Sequence, residues 1–154
     1  MDPLEAVRQR VDAMLFQQPD VEERRCGFVH LYGVAQAATI LALRRGLDVN
    51  LAACAGMLHD IATYQTADPT DHACRSALMA EHILAQAEGF SPVDTEAICD
   101  AIACHSDKAA THSALAELLK DADALQHHLY NVALPPQTHE ADRLARAMAE
   151  LGLA

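Results

Sequence analysis

Apolar residues recur along this chain with a helical period almost from end to end. Leu4, Val7, Val11, Met14 and Leu15 share one face of a first helix, which the turn Gln17-Gln18-Pro19-Asp20 closes. Asp20 is placed to cap a long helix over 21–45 that stops at Gly46. A central helix over 48–64 starts at Asp48 or Asn50, and residues 66–71 read as a loop. The next helix covers about 71–88 and ends at Gly89. Ser91-Pro92 opens another, with Pro in its first turn, ending near His105. Ser113 caps a helix to about Asn131, and Leu134-Pro135-Pro136 breaks it. A last amphipathic helix begins at Gln137 or Thr138. No alternation of period two is long enough for a strand, and no repeat is present. The expected class is all-α. One domain over 1–154 is predicted, a compact bundle of about six helices with its core over about 20–131 and flanking terminal helices.

The central helix sets the question. From Leu51 to Leu58 every residue is apolar or glycine (LAACAGML), so no face suits water. A helix that is hydrophobic all round is buried among other helices. This one runs straight into His59-Asp60, and a buried ionised carboxylate is costly unless it is paired or coordinates a metal. The dipeptide alone carries little: nine His and thirteen Asp in 154 residues supply roughly 0.8 such pairs by chance. A hydrogen-bonded core pair would read the same, so partners elsewhere must decide.

Composition narrows the partners. A formal charge of −11 argues against binding an extended nucleic acid, which needs a basic face. It leaves room for a small phosphorylated substrate, because a bound metal can reverse the local field. The five Cys form no Cys-x-x-Cys and sit mostly in apolar helical context, as reduced buried thiols do. The N-terminus is charged with no apolar signal core, and the uninterrupted apolar runs are too short for a bilayer. The expectation is a cytoplasmic protein without a membrane partner; the sequence sets no oligomeric state.

Four helices deliver His or Asp into apolar context. His30 lies on a face with Gly27, Gly33, Val34 and Ala37, small neighbours that let another helix approach. Asp123 adjoins the stripe Leu115, Leu118, Ala122, Leu125 and Leu129. His72 opens one helix and His105 closes another. Imidazole and carboxylate together suit a divalent transition ion (Fe, Mn, Ni, Co or Zn), with open positions for catalysis.

His30, His59-Asp60 after LAACAGML, and Asp123 in KDADALQ together resemble the HD superfamily of metal-dependent phosphohydrolases, in particular small stand-alone bacterial HD-domain proteins. The likeness covers roughly 20–131. It implies His30, His59, Asp60 and Asp123 as ligands of one divalent ion. In two-metal relatives the motif Asp bridges, and His72 and His105 occupy places that match the second ion's ligands. Around a single ion they would instead contact phosphate or serve as acid and base. Asp60 then orients the attacking water, and Lys108 is the first candidate for contacting the phosphoryl oxygens, a solvated surface Lys being its plain alternative. Arg25, with Arg24, and His112 are weaker substrate-binding candidates. Lys120 and Asp121 read as flanking surface charges, His82 as solvent-facing, and His127 as a hydrogen-bond support for Asp123. Two other functions share these residue types: a non-catalytic ligand-sensing module on the same scaffold, and a di-iron HD-fold oxygenase.

Overall fold

The computed structural model describes residues 2–153, and all regular structure among them is helical. In order these are α1 (Pro3–Phe16), α2 (Val21–Arg45), α3 (Val49–Leu58), α4 (Ile61–Thr66), α5 (His72–Gln86), α6 (Pro92–Cys104), α7 (Ala114–Tyr130) and α8 (Ala141–Glu150). The capping residues read from the sequence sit where their chemistry requires. Asp20 accepts from the amides of Glu22 and Glu23, and Asp48 from those of Asn50 and Leu51. Ser91 and Asp94 form a reciprocal capping box, and Ser113 accepts from Ala116. Gly46 ends α2 in the left-handed conformation at φ 68°.

The spine is α2, which packs against α3 on one side and α7 on another. By length and composition Val21–Arg45 could cross a membrane, although its polar interruptions hide this from a count of apolar runs; half of its most apolar window is buried within the protein. In α3, all residues from Ala52 to Leu58 are buried. Gly56 sets how close α3 comes to α2: a Cβ there would stand 2.6 Å from the Ala35 Cα.

Two boundaries differ from the sequence reading, and both shape the site. The helix expected over 48–64 breaks at His59-Asp60, where Asp60 leaves helical geometry at φ −119°, ψ 16°. No Gly or Pro marks the break. A continuous helix would aim these side chains about 100° apart, whereas the turn brings His59 Nε2 to 3.5 Å from Asp60 Oδ2. Ser76 of α5 stabilises the restart by accepting from the Ala62 amide at 3.2 Å. The last helix begins at Ala141 rather than near Gln137, because residues 138–140 turn and send the Glu140 side chain inward, leaving it 2 % exposed.

Candidate metal centre

Six side chains from five parts of the chain converge between α2, α3, α5, α6 and α7. His30 Nε2 stands 3.1 Å from His59 Nε2, 3.6 Å from Asp60 Oδ2 and 3.5 Å from Asp123 Oδ1. His59 Nε2 lies 3.7 Å from Asp123 Oδ1. On its other side Asp60 turns Oδ1 to His105 Nε2 at 3.3 Å and to His72 Nε2 at 3.6 Å. One carboxylate thus faces two pairs of imidazoles, one pair with each oxygen.

The local backbone fixes how the rings point. His59, His105 and His72 each place Nδ1 against the carbonyl three residues earlier: Gly56 at 2.8 Å, Ile102 at 2.7 Å and Pro69 at 3.1 Å. A carbonyl only accepts, so Nδ1 carries the proton and donates, leaving Nε2 a bare lone pair turned inward. His30 does the same through Gln126 Oε1 at 2.8 Å. Gln126 can lie there because it crosses Gly33, where a Cβ would meet its Cγ at 2.8 Å.

In the neutral form of these rings, electron-rich atoms face one another with no donor between them; protons on the rings, or a cation in their place, are what hold the carboxylates ionised. Asp60 Oδ1 and Asp123 Oδ1 are buried and have no hydrogen-bond partner. Burial holds His59 below the ordinary imidazole value, which keeps its lone pair free. Burial alone would raise the Asp60 carboxyl, yet His59, His105 and His30 keep it well below the usual carboxylate range. Asp123 is likewise held low against burial, by His59, Lys108 and His127.

Around this cluster stands a second ring. The Lys108 ammonium donates to Asp123 Oδ2 and lies 3.3 Å from Glu140. Arg143 donates twice to the Lys108 carbonyl, at 3.1 and 3.0 Å, and so holds that residue from the main chain. The hydrogen bond to Glu140 raises His127, against burial, with Asp123 and Glu140 adding to the rise. Lys108 meets two of the three carboxylates here, Asp123 and Glu140, while Asp60 faces imidazoles. With the imidazoles neutral, three carboxylates and one ammonium leave two negative charges, the deficit a divalent cation would balance.

The donor spacing suits such an ion. Ligands about 2.1 Å from a metal lie about 3.0 Å apart on an octahedron and about 3.4 Å apart on a tetrahedron. The imidazole–imidazole and imidazole–carboxylate separations above run from 3.1 to 3.7 Å, from within this range to slightly beyond it. Three sets of donors, each mutually within 4.8 Å, could hold an ion: His30, His59 and Asp60; His30, Asp123 and His127; Asp60, His72 and His105.

The family model for HD domains matches residues 27–127 of this sequence. The chain belongs to the HD-domain family. The His-Asp dipeptide that names the family is His59-Asp60, at the break between α3 and α4. The crystal structure of a predicted HD superfamily hydrolase from an uncultured Thermotogales bacterium has the same fold, with a TM-score of 0.62 at 23 % identity over 98 % of this chain and 88 % of that one. No curated protein matches the chain significantly.

Of the residues singled out in sequence, His30, His59, Asp60, His72, His105, Lys108 and Asp123 come together in this HD centre. Arg25 does not join them; it is solvent-exposed and paired with Glu22 at 2.9 Å. His112 turns instead to Lys120, at 2.7 Å from its Nζ. Lys120 and Asp121 are not surface charges: both are buried, Lys120 completely. Lys120 donates to the Ala110 carbonyl and to Glu117, while Asp121 accepts from Arg45 and Arg143. His82 and His139 are exposed. The sequence reading missed Gln126 and Glu140. Gln126 had a signal, lying one turn after Asp123; Glu140 had none, because it follows an irregular Pro-containing loop.

Proposed function

We propose that this HD-domain protein is a metal-dependent phosphohydrolase acting on a small phosphorylated substrate: a phosphomonoester, a nucleotide or a related phosphodiester. The observation that carries the proposal is Asp60, a half-buried carboxylate with one oxygen toward His30 and His59 and the other, itself buried, toward His72 and His105. His30, His59, Asp60 and Asp123 would hold a first ion, and His72 and His105 with Asp60 a second. The mixed imidazole–carboxylate set suits Fe, Mn, Ni, Co or Zn. A divalent ion bound here supplies Lewis acidity, bringing the pKa of water toward neutrality and offsetting charge that grows on a phosphoryl group. The remaining work falls to the chain. Asp60 accepts the hydrogen bond that orients the attacking water. Where no second ion takes up its Nε2, His72, at 31 % side-chain exposure the more open of its pair, can bind a proton there and pass it to the leaving group. Lys108 keeps a positive charge in the wall, adding to the field that favours a phosphoryl oxyanion.

The test is metal analysis of protein purified without chelators, followed by assays on phosphomonoesters, nucleotides and phosphodiesters with Mn²⁺, Ni²⁺, Co²⁺ and Mg²⁺. The expected result is at least one ion per chain and hydrolysis that a chelator abolishes. Metal-loaded protein that binds a panel member tightly and hydrolyses nothing would instead mark a ligand-sensing module. Oxygen consumption by the iron-loaded form would mark an oxygenase.

A further inference from the structure

The HD match ends at residue 127, and the site does not. His127 lies one helical turn after Asp123, with its Nε2 3.4 Å from Asp123 Oδ1, a buried oxygen that has no hydrogen-bond partner. Its ring is stacked on His30, with centroids 5.2 Å apart and planes 13° from parallel. Behind it, Nδ1 stands 3.2 Å from each oxygen of Glu140. This is the arrangement of the other imidazoles: an oxygen acceptor behind the ring and Nε2 toward the cluster. Glu140 arrives from the cap of α8 and is almost fully buried. Its close charged partners, His127 and Lys108, both also touch Asp123. A carboxylate taken out of water at that depth must be paired, and here the pairing aims two side chains at one metal-ligand candidate.

We propose that His127 is a further ligand of the first ion, on the side of His30 and Asp123, and that Glu140 is the carboxylate that orients it. Metal-binding imidazoles almost always donate their second ring N–H to a carboxylate or carbonyl, which fixes the ring and raises its basicity. His30, His59, His72 and His105 use an amide or main-chain carbonyl for this purpose, whereas His127 uses a carboxylate supplied from beyond the family-matched region. The inference rests on the metal reading above and deepens it.

Co²⁺ titration of the apo full-length chain tests it, by calorimetry for affinity and by visible absorption for ligand number and type. His127→Ala should weaken the first Co²⁺ by at least roughly tenfold and shift the visible bands at one equivalent. Glu140→Ala should weaken it by roughly 10–100-fold, and Glu140→Gln, which keeps an acceptor, by less. Circular dichroism and apo melting of each variant show whether the fold is kept, and His127→Gln replaces His127→Ala if it is not. A His127 variant with wild-type first-ion affinity and unchanged bands overturns the ligand assignment. Wild-type affinity in Glu140→Ala overturns the orienting role. A wild-type protein that binds no Co²⁺ removes the metal reading itself, a failure seen before any variant is made.

Discussion

Two groups of buried and half-buried charges lie on neighbouring faces of α7 and obey opposite arithmetic. One is a wall between α2, α7 and α8. Arg45 pairs with Asp121 and Glu150, each at 2.8 Å; Arg143 pairs with Asp121 at 3.0 Å and Glu117 at 2.8 Å; Lys120 pairs with Glu117 at 2.8 Å. Three cations meet three carboxylates, and the wall is neutral by itself. Two residues along the helix, Asp123 enters the other group, where Lys108 meets Asp123 and Glu140, Asp60 faces imidazoles, and two carboxylate oxygens have no hydrogen-bond partner. The first group needs nothing from outside, so its function is to hold α8 on the bundle. The second has the charge deficit and the donor sets that could hold a cation. Residue type does not distinguish them, since Asp121 and Asp123 are the same residue; the identity of the facing partners does.

The sharpest way to break this contrast is Asp60→Ala. It should lower hydrolysis by at least roughly a hundredfold, since the ion's contribution to transition-state stabilisation is several kcal/mol. It should also abolish metal-induced stabilisation. Wild-type protein at a hundredfold excess of metal over Kd gains about 2.7 kcal/mol, read as a rise in melting temperature over the chelator-treated sample. A variant that keeps both the shift and the activity would mean that Asp60 is not a ligand.

Arg143→Met breaks the other group. Removing one partner from a buried ionic network typically costs about 3–5 kcal/mol, because charges are left buried and uncompensated. Denaturant unfolding in chelator should show that loss, while the folded fraction still binds metal, since Arg143 touches Lys108 only through its carbonyl. If Arg143→Met lost metal and kept its stability, the division between the two groups would be wrong.

Much of this was legible in the sequence and some was not. Helix positions followed from period, and four starts from Asp20, Asp48, Ser91 and Ser113, because caps act through neighbours two or three residues away. His30, His59, Asp60 and Asp123 were legible because polar groups in otherwise apolar stretches demand an explanation. The break at Asp60 was not, since apolar spacing continues through Ile61 and Ala62 and the gain lies in tertiary contacts with Ser76, His72 and His105. Lys120 and Asp121 misled for a related reason. A charged pair on an amphipathic helix ordinarily faces water; Asp121 is buried against Arg45 and Arg143, distant in sequence, and Lys120 against the Ala110 carbonyl, His112 and Glu117.

A finer cut lies within the centre itself. If Asp60 serves two ions, His72→Ala and His105→Ala should each lower the stoichiometry from two toward one and leave the first ion on His30, His59 and Asp123. Calorimetric titration reads this directly. Unaltered metal content, with a change only in turnover and its pH profile, would assign both imidazoles to acid–base or phosphate-contacting work.

The smallest expected effect sharpens the neutral wall. Burial opposes ionisation of Glu117, but Lys120, the His112 amide and Arg143 outweigh it and bring its pKa from the ordinary 4.5 down to about 2. A carboxyl depressed on folding contributes stability that is fully present above the unfolded value and lost as pH falls toward the folded one. The window is therefore about pH 4.5 to 2. Because 24 % of the Glu117 side chain is exposed, solvent screening limits the contribution to about 1–2 kcal/mol. Asp60 and Asp123 titrate downward too, so the measurement is a difference: urea unfolding of wild type and Glu117→Gln in chelator at several pH values from 5.5 to 2.5. The variant should start less stable and converge on wild type as the acid limit is approached. Parallel curves across the window would mean that Glu117 is not ionically engaged, and Lys120 would then have to be held by the Ala110 carbonyl and His112 alone.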